Sequence, residues 1–332
     1  MRKTTFLTLL LVTVTSLTSR SQCIDNLSFN REGTFKIAQF TDIHHKPGKV
    51  ESEPPLQLIS YILEAEKPDL IVFSGDIVTG SPAAVGWKEV VAPVVNAGIP
   101  FAVTLGNHDD EHDLTREQIR ELLNHFPGYL GKEALHQSPY GDYLVQIEAE
   151  RPEEGALLYF LESNAYSTHE KVKGYGWFSH DQVNWYKKVS REHALVDGGR
   201  LPALAYFHIP LPEYRIAFNS EAPRRGQRNE DECAPQINTG MFAAMLLEGD
   251  VMGTFTGHDH VNDYLVNYFG IALAYGRWSG GKNTYGKLVH GSRIVLLKKG
   301  TRSFQTWIHQ RDGEIIDRIL FPDYLKQTEE DE

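Results

Sequence analysis

The sequence has no long tract rich in serine, glycine or proline, no block of like charges and no internal repeat. Tracts of that kind mark linkers, low-complexity arms and repeat proteins, so the chain offers no obvious point of division. Its 332 residues, of which 41% are hydrophobic and 11% aromatic, suffice for one sizeable core. We therefore predict a single large globular domain.

Positive charge is also scarce, because 33 lysines and arginines stand against 44 aspartates and glutamates. A surface this acidic repels nucleic-acid backbones and anionic membranes at long range. We therefore expect no bulk nucleic acid as a partner, although a small phosphate ester could still enter a locally positive site. The sequence leaves the oligomeric state open.

Long hydrophobic runs are missing as well. The N-terminal stretch at residues 6–17 is short and diluted by threonines, so we predict no transmembrane segment. The stretch follows two basic residues, and the small side chains of Ser19 and Ser21 favour cleavage before Gln22. We predict that residues 1–21 are a signal peptide and that the protein is secreted or periplasmic. The alternative is a first helix of the fold.

Cysteine is nearly absent, since the chain contains only Cys23 and Cys233. An exported compartment permits a disulfide between them, which would tie the mature N-terminus to the domain. Lipid attachment at Cys23 is a minor alternative, because Gln22 is larger than the residue that usually precedes such sites. Two unpaired thiols are the third option.

Strand-like and helix-like segments alternate along the chain. Residues 70–73 form a continuous apolar run, which is typical of a strand covered on both faces. Residues 56–66 and 85–97 have helical patterns, and Gly98 is a suitable helix stop. The other predicted strands are 35–40, 101–105, 204–207, 251–256, 264–266, 271–274, 294–297 and 304–308. Such alternation predicts an α/β fold with crossover helices and largely parallel central strands.

Polar clusters rich in histidine and aspartate follow five of these strands. In chain order they are Thr41-Asp42-Ile43-His44-His45, Ser74-Gly75-Asp76, Gly106-Asn107-His108-Asp109, His208-Ile209-Pro210 and Gly257-His258-Asp259-His260. In open α/β sheets ligands bind at the carboxyl ends of the strands, which is where all five clusters fall. One such residue means little, but five clusters in succession predict a functional site.

The residue types in these clusters fit metal binding. Carboxylates, imidazoles and an amide oxygen suit borderline or hard divalent metals, and no thiolate is involved. The glycines at 75, 106 and 257 let the chain turn sharply beside a metal. Seven ligands exceed the needs of one tetrahedral ion, so two ions sharing one carboxylate is the economical arrangement. The seven are Asp42, His44, Asp76, Asn107, His208, His258 and His260. The competing explanation is that these side chains only cap strand-end turns.

These blocks resemble the calcineurin-like metallophosphoesterase superfamily, whose pattern is D-x-H, G-D, G-N-H-[D/E], a lone H and G-H-x-H. The resemblance covers residues 35–275 with all blocks in family order, and it is closest to a branch of the purple acid phosphatase-like proteins. It implies a four-layer α/β/β/α sandwich with two central mixed sheets. It also implies hydrolysis of phosphate esters by a metal-activated water.

The resemblance further implies two overlapping ligand sets. Asp42, His44, Asp76 and His260 would hold one metal, while Asp76, Asn107, His208 and His258 would hold the other, with Asp76 as the bridge. His108 matches the family histidine that faces the substrate without binding metal, and Asp109 could orient it.

One departure from the purple enzymes bears on the metals. Those enzymes carry a tyrosine three residues after the second-block aspartate, where this chain has Thr79, and their first block lacks the histidine supplied here by His44. Phenolate favours the ferric state, so its absence argues against ferric iron. We expect two divalent ions, either Mn, Zn or ferrous Fe.

Four arginines are candidates for binding substrate. Arg224, Arg225 and Arg228 lie on a predicted long loop, and Arg277 lies in a glycine-rich segment. Arginine suits the clamping of a phosphate through paired hydrogen bonds. The alternatives are a solvated loop paired with the acids at 230–232 and an ordinary β-turn at the sheet edge. His45 is expected to be a solvated loop histidine.

We place the phosphoesterase domain at residues 28–312 and expect residues 313–332 to form a C-terminal tail. A secreted phosphomonoesterase is the first choice of function. A phosphodiesterase acting on nucleotides or lipid head groups is the main alternative, because the same metal core serves both. A non-catalytic metal-dependent binding module is the alternative of another class. The sequence contains no Ser–His–Asp or Cys–His pattern that would indicate a covalent nucleophile.

Overall fold

A computed structural model describes residues 27–132 and 134–323. Its strands, in chain order, are β1 (Thr34–Phe40), β2 (Leu70–Ser74), β3 (Phe101–Thr104), β4 (Tyr143–Ile147), β5 (Ala156–Phe160), β6 (Ala203–Tyr206), β7 (Arg224–Arg225), β8 (Val251–Thr256), β9 (Leu265–Tyr268), β10 (Ile271–Tyr275), β11 (Gly291–Lys298), β12 (Phe304–Gln310) and β13 (Ile315–Phe321). Its α-helices are α1 (Glu53–Glu66), α2 (Ala83–Ala97), α3 (Arg116–Leu123), α4 (His180–Glu192), α5 (Glu213–Phe218) and α6 (Met241–Glu248).

The strands form two mixed sheets. The first has the order β13-β12-β11-β1-β2-β3, in which β1, β2 and β3 run parallel and the other neighbours pair antiparallel. The second has the order β4-β5-β6-β8-β10-β9-β7, with β5, β6, β8 and β10 parallel. The predicted α/β fold with two mixed sheets is therefore confirmed. Parallel strands need crossover connections, which here contain the helices.

The two sheets pack face to face and the helices cover their outer faces. Leu70 and Val72 of β2 belong to the same buried cluster as Leu204 of β6 and Phe255 of β8. Helices α1, α2 and α3 pack on the outer face of the first sheet, and α4, α5 and α6 pack on that of the second. A strand such as β2 is thus buried on both faces, which explains its uninterrupted apolar sequence.

Local signals in the sequence set several helix ends. Helix α3 begins with a capping box in which Thr115 and Gln118 bond to each other's backbone N–H groups, and α4 does the same with Ser179 and Gln182. Helix α2 ends at Gly98 in the left-handed conformation, as predicted. The cap at Thr115 also ends the loop after β3 that carries the cluster at residues 106–109.

The C-terminal boundary differs from the prediction. Residues 315–321 form β13 and pair with β12 at the edge of the first sheet, so assigning them to a tail was wrong. The strand was missed because Asp317 and Arg318 interrupt its apolar residues. In addition, the left-handed Asp317 and a register shift opposite Thr306 and Ile308 disturb its alternation.

Among residues 27–132 and 134–323, no helix has the length and apolar character needed to cross a membrane. The predicted signal peptide at residues 1–21 and the predicted roles of Cys23 lie outside the described residues. Residues 324–332 of the predicted tail also lie outside them. Those assignments stay predictions.

Candidate metal centre

The five polar clusters meet at one place. β1, β2 and β3 are neighbours in the first sheet, β6 and β8 are neighbours in the second, and each cluster follows the carboxyl end of its strand. Several contacts join the sheets here. The backbone N–H of His258 donates to both carboxylate oxygens of Asp42, at 3.1 and 3.0 Å. Nδ1 of His208 donates to the carbonyl of Ser74 at 2.9 Å.

A first group of ligating side chains contains Asp42, His44 and His260, whose ligand atoms all lie within 4.8 Å of one another. The Nε2 atoms of the two imidazoles are 3.2 Å apart, and Nε2 of His260 is 3.4 Å from Oδ1 of Asp42. Nδ1 of His260 donates to the carbonyl of Tyr285 at 2.7 Å, so in the neutral ring the lone pair is on Nε2, which faces the centre. All three ligating residues are buried.

A second group contains Asp76, His208 and His258, again with ligand atoms within 4.8 Å of one another. Nε2 of His208 lies 3.1 Å from Oδ2 of Asp76. Oδ1 of Asn107 and Nε2 of His258 are buried, and neither has a hydrogen-bond partner within the described part of the chain. Buried polar atoms are rarely left unpaired, so the two atoms fit a cation that both would bind.

Asp76 lies between the two groups. Its Oδ2 is 3.1 Å from Nε2 of His208 and 3.7 Å from Nε2 of His44, which belongs to the first group. Its Oδ1 accepts the backbone N–H of His108 at 2.8 Å. The side chain is therefore fixed by one oxygen and presents the other to both groups.

Backbone strain is concentrated at these residues. Asp42, His44, Asp76 and His258 all adopt left-handed conformations, with φ values of 55°, 50°, 54° and 78°. Such a conformation costs a residue with a side chain on the order of 1–3 kcal/mol and persists mainly at functional sites. The surrounding fold thus holds four side chains in orientations that an ordinary turn would not give them.

Glycines make room for this arrangement. A Cβ on Gly75, whose φ is +93°, would lie 2.3 Å from Nδ1 of His208. A Cβ on Gly106 would lie 2.2 Å from Oδ1 of Asp76. Both distances are far below van der Waals contact, so these positions require glycine because ligating side chains approach the backbone closely.

The electrostatics suit metal binding. Burial lowers the pKa of His44 to about 4 and that of His258 to about 3, so both rings are neutral at neutral pH, as metal ligands must be. Burial acts in the same direction on His208, but the carboxylates of Asp76 and Asp42 outweigh it and raise its pKa to about 10. The protonated ring then takes the place of a cation between two carboxylates. Both the orphaned ligand atoms and the donor set fit divalent metal ions.

His108 lies beside the two groups without belonging to either of them. Its ring centroid is 5.5 Å from that of His44, and its side chain is 37% exposed. Nδ1 of His108 pairs with Oε2 of Glu111 at 2.7 Å. The predicted orienting residue, Asp109, is used differently: its carboxylate accepts the backbone N–H groups of Asp76, Ile77, Val78 and Gly106. Asp109 therefore shapes the turn after β2, and the orienting role predicted for it is wrong.

The four arginines predicted to bind substrate have other partners. Arg277 is buried and pairs with Asp263, while Arg228 pairs with Glu232 and Asp231, as the alternative of a loop paired with its own acids anticipated. The remaining contacts are Arg225 with Asp317 and Arg224 with the carbonyl of Ser220 and the ring of Phe218. These contacts give the arginines structural roles and do not support the prediction that they bind substrate.

Two tyrosines that sequence reasoning did not identify lie beside the centre. Tyr175 contacts the ring of His258 edge-on with the centroids 4.4 Å apart, and Tyr285 stacks on His260 at 4.1 Å. Their loops carry no motif, so no local signal would have found them. His45 was also misjudged: it is buried, and its Nε2 is 2.6 Å from Oε2 of Glu89.

Comparison with known proteins agrees with this geometry. The sequence matches the calcineurin-like phosphoesterase family over residues 35–262. It is 36% identical to "Probable inactive purple acid phosphatase 14" of Arabidopsis thaliana over 82% of this chain and 77% of that protein. It is 34% identical to "Phosphatase DCR2" of Saccharomyces cerevisiae over 70% of this chain and 45% of that protein. The fold resembles a dimetal phosphatase from Danio rerio with a TM-score of 0.56 and 13% identity, covering 86% of this chain and 98% of that chain.

Proposed function

The chain belongs to the calcineurin-like phosphoesterase family, and we propose that it hydrolyses small phosphate esters at a centre of two divalent metal ions. The observation that carries the proposal is the pair of buried ligating groups that meet at Asp76 beside an oriented histidine. One relative is named an inactive phosphatase and another a phosphatase, so their names do not decide whether this chain is catalytically active. We therefore argue activity from the chemistry of the site.

The ligand sets follow the two groups. Asp42, His44, Asp76 and His260 would hold one ion, and Asp76, Asn107, His208 and His258 would hold the other. When bound, two such ions supply Lewis acidity that activates a water and neutralises charge on the phosphoryl group. The chain's contribution is to fix the ligands rigidly, through left-handed backbone and through second hydrogen bonds such as that of His260 to Tyr285.

The donors favour divalent metals. Thr79 occupies the position where purple enzymes have a tyrosine, and its Oγ1 is buried without a hydrogen-bond partner among the described residues. A hydroxyl of this kind does not supply the phenolate that favours ferric iron. In place of a phenolate, His44 supplies a neutral nitrogen, since burial lowers the pKa of His44 to about 4. We therefore propose Mn, Zn or ferrous Fe.

His108 acts on the substrate and not on the metals. The N–H at Nδ1 of His108 donates to Glu111, so in the doubly protonated ring the second N–H, at Nε2, would donate to a phosphoryl or leaving-group oxygen. The transition state of phosphoryl transfer spreads charge over these oxygens, so a positioned donor there contributes directly. No residue has to form a covalent intermediate.

Export of the protein stays a prediction, because the residues that carry the predicted signal peptide lie outside the described part of the chain.

A monoester is the proposed substrate, and a comparison of two esters tests this. The full chain is loaded with Mn, Zn or ferrous Fe, and the hydrolysis of p-nitrophenyl phosphate and bis-p-nitrophenyl phosphate is measured. Higher kcat/KM for the monoester supports the proposal. Higher kcat/KM for the diester would make the protein a phosphodiesterase. No turnover with any metal, in protein that binds two ions, would indicate a binding module.

A further inference from the structure

We propose that Glu111 is the positioning residue of His108, and that Tyr166 couples this pair to Asn107 at the second ligating group. The inference rests on the proposed function, because it assigns roles within the same site. It concerns two residues that no motif of the sequence singles out. It predicts one connected set of side chains reaching from a metal ligand to the histidine that faces the substrate.

The contacts form a continuous chain. Nδ1 of His108 is 2.7 Å from Oε2 of Glu111, and the hydroxyl of Tyr166 donates to Oε1 of the same carboxylate at 3.0 Å. Nδ2 of Asn107 donates to the Tyr166 hydroxyl at 3.2 Å. One carboxylate therefore uses both oxygens to hold two different side chains.

The direction of each hydrogen bond in this chain is determined. A carboxylate only accepts, so His108 must carry its proton on Nδ1 and Tyr166 must donate its own hydroxyl proton to Glu111. The Tyr166 oxygen is then left to accept from the amide of Asn107. That fixes which end of the amide is nitrogen, and turns Oδ1 of Asn107 towards the second group, where it is buried and unpaired within residues 27–132 and 134–323.

The neighbouring acids are not available for this role. Asp109 binds four backbone N–H groups, and Asp110 accepts from Nη1 of Arg116 at 2.9 Å. Glu111 lies in the same turn, where its N–H reaches the carbonyl of His108 at 3.5 Å. Of three consecutive acids, only the third projects back to the ring of His108.

Tyr166 is itself held in place from the other side. Its ring stacks on Tyr175 with centroids 5.7 Å apart, and Tyr175 packs edge-on against His258 at 4.4 Å. The loop between β5 and α4 thus lies against the second group at two points. A tyrosine fixed both at its ring and at its hydroxyl suits positioning better than a freely rotating surface side chain does.

The first test measures which ring nitrogen of His108 carries a proton, and it does not depend on catalytic activity. The full chain is labelled with ¹⁵N-histidine, and long-range ¹H–¹⁵N NMR reports the tautomer of His108, assigned by loss of its signals in His108→Gln. We expect a proton on Nδ1, with or without a second one on Nε2, in the native protein and in Glu117→Ala, a control in α3 whose side chain is 78% exposed. Glu111→Ala should move the ring to the Nε2–H form or to a mixture. An unchanged tautomer in Glu111→Ala would overturn the proposal.

The second test separates positioning from general structure by kinetics. An orienting partner of a proton donor matters most for poor leaving groups, so Glu111→Ala should lower kcat for phenyl phosphate about 10- to 100-fold, and for p-nitrophenyl phosphate less than about 3-fold. Glu111→Gln, which keeps an acceptor, should recover part of the loss. Equal losses for both substrates would contradict the positioning role.

The third test addresses Tyr166. Tyr166→Phe keeps the ring stack and removes the hydroxyl, so the affinity of the more weakly held metal should fall about 10-fold in a chelator competition. Tyr140→Phe serves as the control, since its hydroxyl binds Asp181 on the surface. Native affinity in Tyr166→Phe would overturn the coupling to Asn107. If the native protein hydrolyses no ester but Glu111→Ala still changes the tautomer, the proposed function fails and the positioning stands.

Discussion

The imidazoles of His44 and His260 face each other with their Nε2 atoms 3.2 Å apart. Two ligand nitrogens at about 2.1 Å from one ion, with an angle of about 100° between them, lie about 3.2 Å apart. The lone pair of His260 is directed there because its other nitrogen donates to the carbonyl of Tyr285. This spacing is therefore that of two ligands that share a metal.

A first prediction is that metal stabilises the folded protein. Protein stripped with EDTA should unfold at a lower temperature than protein with added Zn or Mn, as measured by differential scanning calorimetry. At a free metal concentration 100 times Kd, the gain is about 2.7 kcal/mol for a single site. His44→Ala should lose much of this gain, whereas His169→Ala, an exposed control, should keep it. Identical melting temperatures with and without metal would contradict the account.

A second prediction concerns the glycine beside His208. Gly75→Ala would place a Cβ 2.3 Å from Nδ1 of His208, so the folded fraction should bind metal much more weakly. Gly270→Ala is a matched control, because Gly270 also has a positive φ, of +84°, but nothing lies within 4 Å of its Cβ position. Both variants should lose about 1–2 kcal/mol of stability through the backbone. Chelator competition measures the difference, and equal metal affinity in the two would refute the steric argument.

A third prediction separates catalysis from metal binding at His108. His108→Ala should retain two ions per chain, because the ring belongs to neither ligating group. Its kcat should fall by roughly two to four decades, as expected when a positioned acid is removed. Metal content by atomic emission, together with kinetics on phenyl phosphate, whose poor leaving group needs the acid, tests both halves. Loss of a metal would mean that His108 is a ligand.

A fourth prediction concerns stability far from the centre. The carboxylate of Glu66 is buried, which raises its pKa, but hydrogen bonds from Trp307, His309 and Lys36 outweigh burial and lower the pKa below 4.5. A lowered folded pKa contributes stability that is present above the unfolded value and lost as the pH falls through the folded one. Glu66→Gln should cost roughly 1.5–3 kcal/mol at pH 7.

The measurement is urea unfolding at pH 7 and near pH 3. The difference in unfolding free energy between the two pH values should be smaller in Glu66→Gln than in the native protein. Glu64→Gln is the control, since Glu64 is exposed on the same helix. The same pH dependence in both variants would show that Glu66 does not carry this contribution.

Much of the site could be predicted because its ligands follow strands. Strands β1, β2, β3, β6 and β8 were readable as apolar runs, and the carboxyl ends of parallel strands converge on one sheet edge. The glycines could be predicted for the same reason, since a ligand beside a turn leaves no space for a Cβ. The pairing of the two sheets came from the family resemblance and not from periodicity.

Contacts between loops could not be predicted. Asp109 was the natural partner of His108 by adjacency, but its carboxylate points back to the turn after β2, and Glu111 contacts the ring instead. The arginines bind acids and carbonyls that fold next to them, which sequence spacing does not reveal. Strand β13 was missed because Asp317 and Arg318 interrupt its apolar residues, and the left-handed Asp317 breaks their alternation.

The metal-to-protein ratio of the native chain and of Asp76→Ala tests the central claim most directly. Because Oδ2 of Asp76 faces both His44 and His208, the account predicts two tightly bound ions per native chain and none in the variant after gel filtration. Asp181→Ala, an exposed aspartate in the first turn of α4, should keep both ions. Two tightly bound ions in Asp76→Ala would contradict a shared ligand and with it the two-metal centre.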